Sequence, residues 1–164
     1  MKISKNWLAE YITPLKSNNI LENDLTKLGL EVDTILKNKN DYIIDIEFTP
    51  NRGDCLSVYG TARDLAAYNK KDLRKPTNSP FTYVKENKKI KNISSSICPE
   101  YRYMELENID VKAKTPKFIV ERLNKSDIAS INIIVDISNY VMIEVGQPTH
   151  AFDSDKIHGK LSIV

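Results

Sequence analysis

The run Val135-Asp136-Ile137-Ser138-Asn139-Tyr140-Val141-Met142-Ile143-Glu144-Val145-Gly146-Gln147-Pro148-Thr149-His150-Ala151-Phe152-Asp153 places an amide, a hydroxyl and an imidazole on one short element. Its apolar residues recur at helical spacing, which predicts a helix starting near Ser130 with Ile134, Ile137, Val141 and Val145 as its buried stripe. Gly146 and Pro148 supply the stop, since glycine accepts the left-handed backbone that closes a helix and proline cannot continue one. Ser138 lies one residue from the stripe and Asn139 two residues after Ile137, so both polar side chains border the core and need partners or a ligand. With His150 just past the stop, the run reads as one half of a hydrolytic pocket.

Upstream, Thr49-Pro50-Asn51-Arg52-Gly53-Asp54-Cys55-Leu56-Ser57 reads as a tight turn feeding a helix. Asp54 is placed to cap that helix, its carboxylate accepting backbone N–H bonds at the positive helix end. The helix, about 55 to 68, is expected to pack Leu56, Tyr59, Ala62, Leu65 and Ala66 inward. Asn51, Arg52 and Asp54 shape the turn, and Arg52 is a candidate for a domain-interface or phosphate contact. Before it, Tyr42 to Phe48 alternates at its end and predicts a strand that Pro50 stops.

Nearer the N-terminus, Trp7, Leu8, Tyr11 and Ile12 form one stripe of a short helix ended by Pro14. Leu21, Leu25 and Leu28 predict a second helix closed by Gly29, and residues 30 to 37 are expected to be extended. From Lys70 to Cys98 the pattern dissolves into Lys, Asn, Ser and Pro, the composition of a linker. Its basic cluster, Lys85 to Lys91, reads as a solvated surface, with a phosphate contact as the lesser alternative. After Pro99 the alternating stretch Tyr101 to Ile109 predicts a strand, and Thr115 with Pro116 an N-cap and first position for a helix over Phe118 to Leu123.

At 164 residues and 41% hydrophobic, the chain can bury a real core as one domain or two small ones. Lys and Arg total 24 against 22 for Asp and Glu, a net +2, so no strong field draws the whole chain onto nucleic acid or an acidic membrane, and any RNA contact must be local. No stretch approaches the roughly 18 apolar residues of a membrane span, and the N-terminus has no long apolar signal region. Cys55 and Cys98 lie far apart with no Cys-x-x-Cys spacing, so neither a zinc site nor a disulfide framework is suggested. The chain reads as a cytoplasmic protein.

The two runs above, together with Met1-Lys2-Ile3-Ser4, Trp7-Leu8 and Leu25-Thr26-Lys27-Leu28-Gly29-Leu30-Glu31-Val32-Asp33, closely resemble the beta subunit of bacterial phenylalanyl-tRNA synthetase. The likeness covers nearly the whole chain, with the segments in that family's order. It implies an α+β fold: a small helix-rich N-terminal domain over residues 1–69, a linker over 70–97, and an incomplete editing domain over 98–164. Most members carry an inserted OB-fold tRNA-binding domain; here it is absent near residues 34–42, where only a few residues intervene. Because the family's beta subunit is much longer, the chain is expected to be an N-terminal portion or a truncated version, inactive in aminoacylation when isolated.

The resemblance also implies the chemistry. The family's enzyme is an alpha2beta2 heterotetramer that joins phenylalanine to its tRNA using ATP and magnesium, with the aminoacylation site on the alpha subunit, so this portion is expected to bind neither cofactor nor metal. Tyrosine is phenylalanine plus one hydroxyl, which an apolar pocket rejects by only about 100-fold, and a second, hydrolytic site raises accuracy. By motif position His150 and Asn139 match family editing-site residues, and Ser138 stands where many members carry Thr. His150 would orient the tRNA end or the attacking water, Asn139 would donate and accept, and Ser138 retains a hydroxyl.

Plainer roles stand beside these: a surface or capping residue for His150, a local backbone cap for Asn139, and an N-cap or turn for Asp153. Glu144 and Asp153 flank His150 without forming a ligand set of recognisable spacing. The alternatives to a ligase subunit are a free-standing tRNA or amino-acid binding module that edits in trans, and a truncated, non-catalytic relic.

Overall fold

The computed structural model describes residues 1–77, 90–92, 96, 98, 99, 101–159 and 161–163. The chain divides into two compact units, one formed by Met1–Thr77 with Val111–Thr149, the other by Asn78–Asp110 with His150–Val164.

In the first unit, β1 (Lys2–Ser4) runs into the short helix α1 (Lys5–Leu8), followed by α2 (Asn18–Lys27) and the hairpin of β2 (Glu31–Asn38) and β3 (Asp41–Glu47). The three strands form an antiparallel sheet in the order β1-β3-β2, with Ile3 opposite Ile44 and Ile35 also opposite Ile44. A 3-10 turn (Pro50–Cys55) leads to α3 (Val58–Asn69), and the later segment adds α4 (Lys117–Lys125) and α5 (Ile133–Val145). Helices and sheet share one core, in which Ile3, Trp7, Leu25, Ile44, Leu65 and Ile143 are buried. Each such aliphatic side chain contributes about 1.5–3 kcal/mol through loss of apolar surface to water.

The closure predicted at Gly29 is realised in full. Gly29 adopts φ +76°, its N–H donates to the Thr26 carbonyl, and the Leu30 N–H donates to the Leu25 carbonyl, both at 3.0 Å. Leu25 and Leu30, the two ends of the outer of these hydrogen bonds, are both fully buried.

At the hairpin tip, Asn38 pairs with Asp41 across the two turn residues Lys39 and Asn40. Asp41 is buried, and its carboxylate accepts from Ser4 Oγ (2.5 Å), Lys125 Nζ (2.7 Å), and the amides of Asn6 (2.9 Å) and Tyr42 (2.8 Å). It therefore ties the turn to the starts of α1 and β3 and to the end of α4. Burial pushes this carboxyl up, but those four donors outweigh it and hold the group below the usual carboxylate range.

Several local expectations are corrected. The stripe Trp7, Leu8, Tyr11 and Ile12 is buried as predicted, but α1 ends at Leu8, well short of Pro14. Asp54 does not cap α3: Arg52 and Arg63 occupy its carboxylate, a 3-10 turn intervenes, and Ser57 is the cap, accepting from the Gly60 amide at 2.9 Å. Leu56 therefore falls before the helix and is exposed, whereas Ala62, Leu65 and Ala66 are buried. Thr115 does not cap α4; its hydroxyl donates to Asp136 instead, at 2.5 Å.

In the second unit, β4 (Ile90–Asn92) pairs in parallel with β5 (Leu161–Ile163), and a 3-10 turn spans Ser154–Lys156. Asp153 caps that turn, accepting from the Asp155 amide at 3.2 Å. The strand expected over Tyr101–Ile109 is not formed; Met104, Leu106 and Ile109 are exposed there. Alternation favours a pleated strand, but a strand also needs a ladder partner. The basic cluster lies outside the described residues over 85–89.

Candidate functional site

Helix α5 carries the first two candidate residues and is fastened at both ends. Asn132 caps its start, its side-chain oxygen accepting from the amides of Ile134 and Val135 at 3.1 Å each. One turn in, the fully buried Asp136 accepts from Thr115 Oγ1 (2.5 Å), Ser130 Oγ (2.6 Å) and the Ile131 amide (2.8 Å). Burial pushes this carboxyl up, but the donated bonds prevail and keep it below its ordinary value, so it is a carboxylate at neutral pH. At the other end Gly146 closes the helix at φ +78°, where a Cβ would meet Ser57 Cβ and Oγ at 3.3 Å.

The face that α5 buries is not the one predicted. Asp136 and Ile143 are buried, with Tyr140 packed against the core between them, whereas Ile137 is 45% exposed and Ile134, Val141 and Val145 are half-buried. Glu144 is absorbed by the same packing. Its carboxylate accepts from Tyr11 Oη (2.6 Å), Tyr140 Oη (3.1 Å) and Trp7 Nε1 (3.4 Å). Tyr140 stacks on Trp7 at 4.9 Å, and the Arg122 guanidinium lies 4.8 Å from the Trp7 ring. Burial, followed by the Glu144 charge, pushes the Tyr140 hydroxyl up to about 12.

Ser138 and Asn139 are half-buried. The Ser138 hydroxyl lies 2.9 Å from the Thr149 carbonyl oxygen and 2.7 Å from Thr149 Oγ1. The Asn139 amide forms no hydrogen bond among the described residues, leaving two donors and an acceptor available. His150 is the first residue of the second unit's later segment; it is exposed and its ring centroid lies 6.5 Å from that of Phe152. The structure thus brings Ser138 together with Thr149. Sequence reading passed over Thr149 and Asp136; an acid in the first turn of a strongly apolar helix was the available signal for the second.

Arg52 serves the fold. It donates from Nε to Asp54 (3.0 Å), from Nη1 to the Leu28 carbonyl (3.0 Å), and from Nη2 to Asp64 and to Cys55 Sγ (2.6 Å). Ligand atoms of Asp54, Cys55 and Asp64 lie within 4.8 Å of one another. Arg52 and Arg63 already saturate the two carboxylates. The Arg52 guanidinium holds Asp54 at about 2, while burial, then Asp64, pushes the Cys55 thiol up to about 12, so the sulfur is a protonated thiol and a poor metal ligand. The cluster is an ion-pair network that joins the 3-10 turn to α3 and to the end of α2. Among the described residues, no helix is long and apolar enough to cross a membrane.

Residues 97–164, the stretch that holds α5 and the His150 segment, match the B3/4 domain family. Across most of its length the chain is similar to the beta subunits of phenylalanine–tRNA ligase. It is 39% identical over 137 residues to that of Francisella tularensis, 83% of this chain and 17% of that relative. It is 40% identical over 151 residues to that of Aliivibrio fischeri, 91% of this chain and 19% of that relative. For Legionella pneumophila the values are 37% over 149 residues, 90% of this chain and 19% of that relative. The similarity to these beta subunits runs at 37–40% identity across 83–91% of the chain. It spans less than a fifth of the length of these curated relatives.

Proposed function

We propose that this chain is the N-terminal portion of a phenylalanine–tRNA ligase beta subunit and supplies one wall of a pocket that hydrolyses mischarged tyrosyl-tRNA. The observation that carries this reading is the similarity extending over most of the chain, together with an Asn139 amide that has no hydrogen bond among the described residues, on a helix fastened at both ends. Its partners are the alpha subunit, in an alpha2beta2 assembly, and tRNA; ATP and magnesium serve the aminoacylation site, which we assign to the alpha subunit. In the pocket, Asn139 donates to and accepts from the tyrosyl ester and its water. The His150 imidazole positions the tRNA end or that water, a role that fits an exposed ring.

The test joins this chain to the remainder of a family beta subunit, assembles it with the alpha subunit, and measures hydrolysis of labelled tyrosyl-tRNA. His150→Ala and Asn139→Ala are each expected to lower the rate at least 10-fold, while phenylalanylation continues. Unchanged hydrolysis in His150→Ala would remove the site assignment. His150-dependent hydrolysis by the 164-residue chain alone would instead favour a free-standing editing module.

A further inference from the structure

We infer that Ser138 and Thr149 form a positioning pair whose hydroxyls hold the peptide leading into His150 and do not touch the substrate; the role of His150 itself rests on the editing reading above. Ser138 has one hydroxyl proton and two acceptor lone pairs, and so has Thr149. The two short distances are satisfied together in one arrangement: Ser138 donates to the Thr149 carbonyl at 2.9 Å, and the Thr149 hydroxyl donates back to Ser138 Oγ at 2.7 Å. Both protons are then consumed within the pair.

The acceptor carbonyl makes this more than a loop clasp. The Thr149 carbonyl and the His150 nitrogen share one planar peptide, so a bond to that oxygen orients the plane from which the His150 backbone departs. The donor sits on a helix fixed by the buried Asp136 and closed at Gly146, whose N–H donates to the Met142 carbonyl at 2.9 Å. Between helix and pair, Gln147 Nε2 donates to the Pro148 carbonyl at 3.1 Å. Asn139, next to Ser138, has no such engagement among the described residues, so the neighbouring polar groups divide the work: Asn139 is available to a ligand and Ser138 orders the chain.

The experiment follows the Thr149 carbonyl carbon-13 and His150 amide nitrogen-15 resonances of the 164-residue chain, with those of its second histidine, His158, as internal reference. Ser138→Ala is expected to shift both Thr149–His150 peptide resonances towards the values of a peptide with an unbonded carbonyl, and Thr149→Val, which removes the returning hydroxyl, to shift them part of the way. The double variant should exceed the larger single effect by little, and Ser138→Thr should match the parent. Unchanged resonances in both single variants would overturn the pair. In the assembled ligase, Ser138→Ala should lower kcat for tyrosyl-tRNA hydrolysis with KM nearly constant; a raised KM with constant kcat would place Ser138 on the substrate and overturn the inference. Shifted peptide resonances in the 164-residue chain, with an assembled ligase that never hydrolyses tyrosyl-tRNA, leave the pair standing and remove the editing reading alone.

Discussion

The Tyr11 hydroxyl donates to the Glu144 carboxylate at 2.6 Å across 133 positions of sequence, fastening α5 to the N-terminal helix turn. The Tyr140 hydroxyl and the Trp7 indole point at the same oxygen. A bond to a charged acceptor contributes about 1.5–3 kcal/mol, so Tyr11→Phe is expected to lower unfolding free energy in urea by about that amount. Glu144→Ala should cost more, because it leaves three donors without their acceptor.

Asp136→Ala should be among the most damaging single substitutions in the first unit, at about 3 kcal/mol or more, since Thr115, Ser130 and the Ile131 amide all lose their buried acceptor. Thermal unfolding of the variant against the parent would check this.

The pH dependence follows from the same carboxylates. Asp41 and Asp136 have folded-state values below their unfolded ones, so their contribution is present above the unfolded value, near pH 4, and is lost as pH falls through the folded value. Urea midpoints should hold between pH 5 and 7 and drop below pH 4. Asp136→Asn should flatten that acid limb.

Gly29→Ala is expected to destabilise by about 1–2 kcal/mol. Open space surrounds the position, so the cost is the left-handed backbone alone, and Gly29→Asn should be milder because asparagine tolerates that region. Chemical denaturation of the two variants separates the cases.

Cys55 should resist iodoacetamide at pH 8 in the native chain and react only once urea unfolds it. It is fully buried and its thiol is pushed up to about 12, so almost no thiolate is present. Mass spectrometry of the labelled peptide reads the outcome.

What was legible in the sequence was local chemistry. The Leu21-Leu25-Leu28 spacing with Gly29 announced α2 and its closure, and the acidic-apolar alternation announced β3. What escaped was which side of an element the rest of the chain would cover. α5 is apolar on two sides, so its period marked a helix without marking the buried face. The face turned to the core contains the buried Asp136 and the half-buried Tyr140, polar residues placed there because Thr115, Ser130, Arg122 and Glu144 satisfy them. The cap of α3 escaped for a related reason: Asp54 has the right chemistry, but Arg52 and Arg63 had already claimed it. For the site, motif position located Ser138, Asn139 and His150, whereas the Thr149 partner of Ser138 lies eleven positions along and needed coordinates.

The hairpin tip gives the fold a splice point. Asn38 and Asp41 face each other as ladder partners, about 5 Å apart, so any stretch of chain inserted between them leaves and re-enters at nearly the same place. The carboxylate of Asp41 is held by Ser4, Asn6 and Lys125, none of which belongs to the turn. The contacts that hold Asp41 therefore do not depend on the side chains of the loop. A stretch inserted there would leave the three-stranded sheet and the contacts of Asp41 where they are.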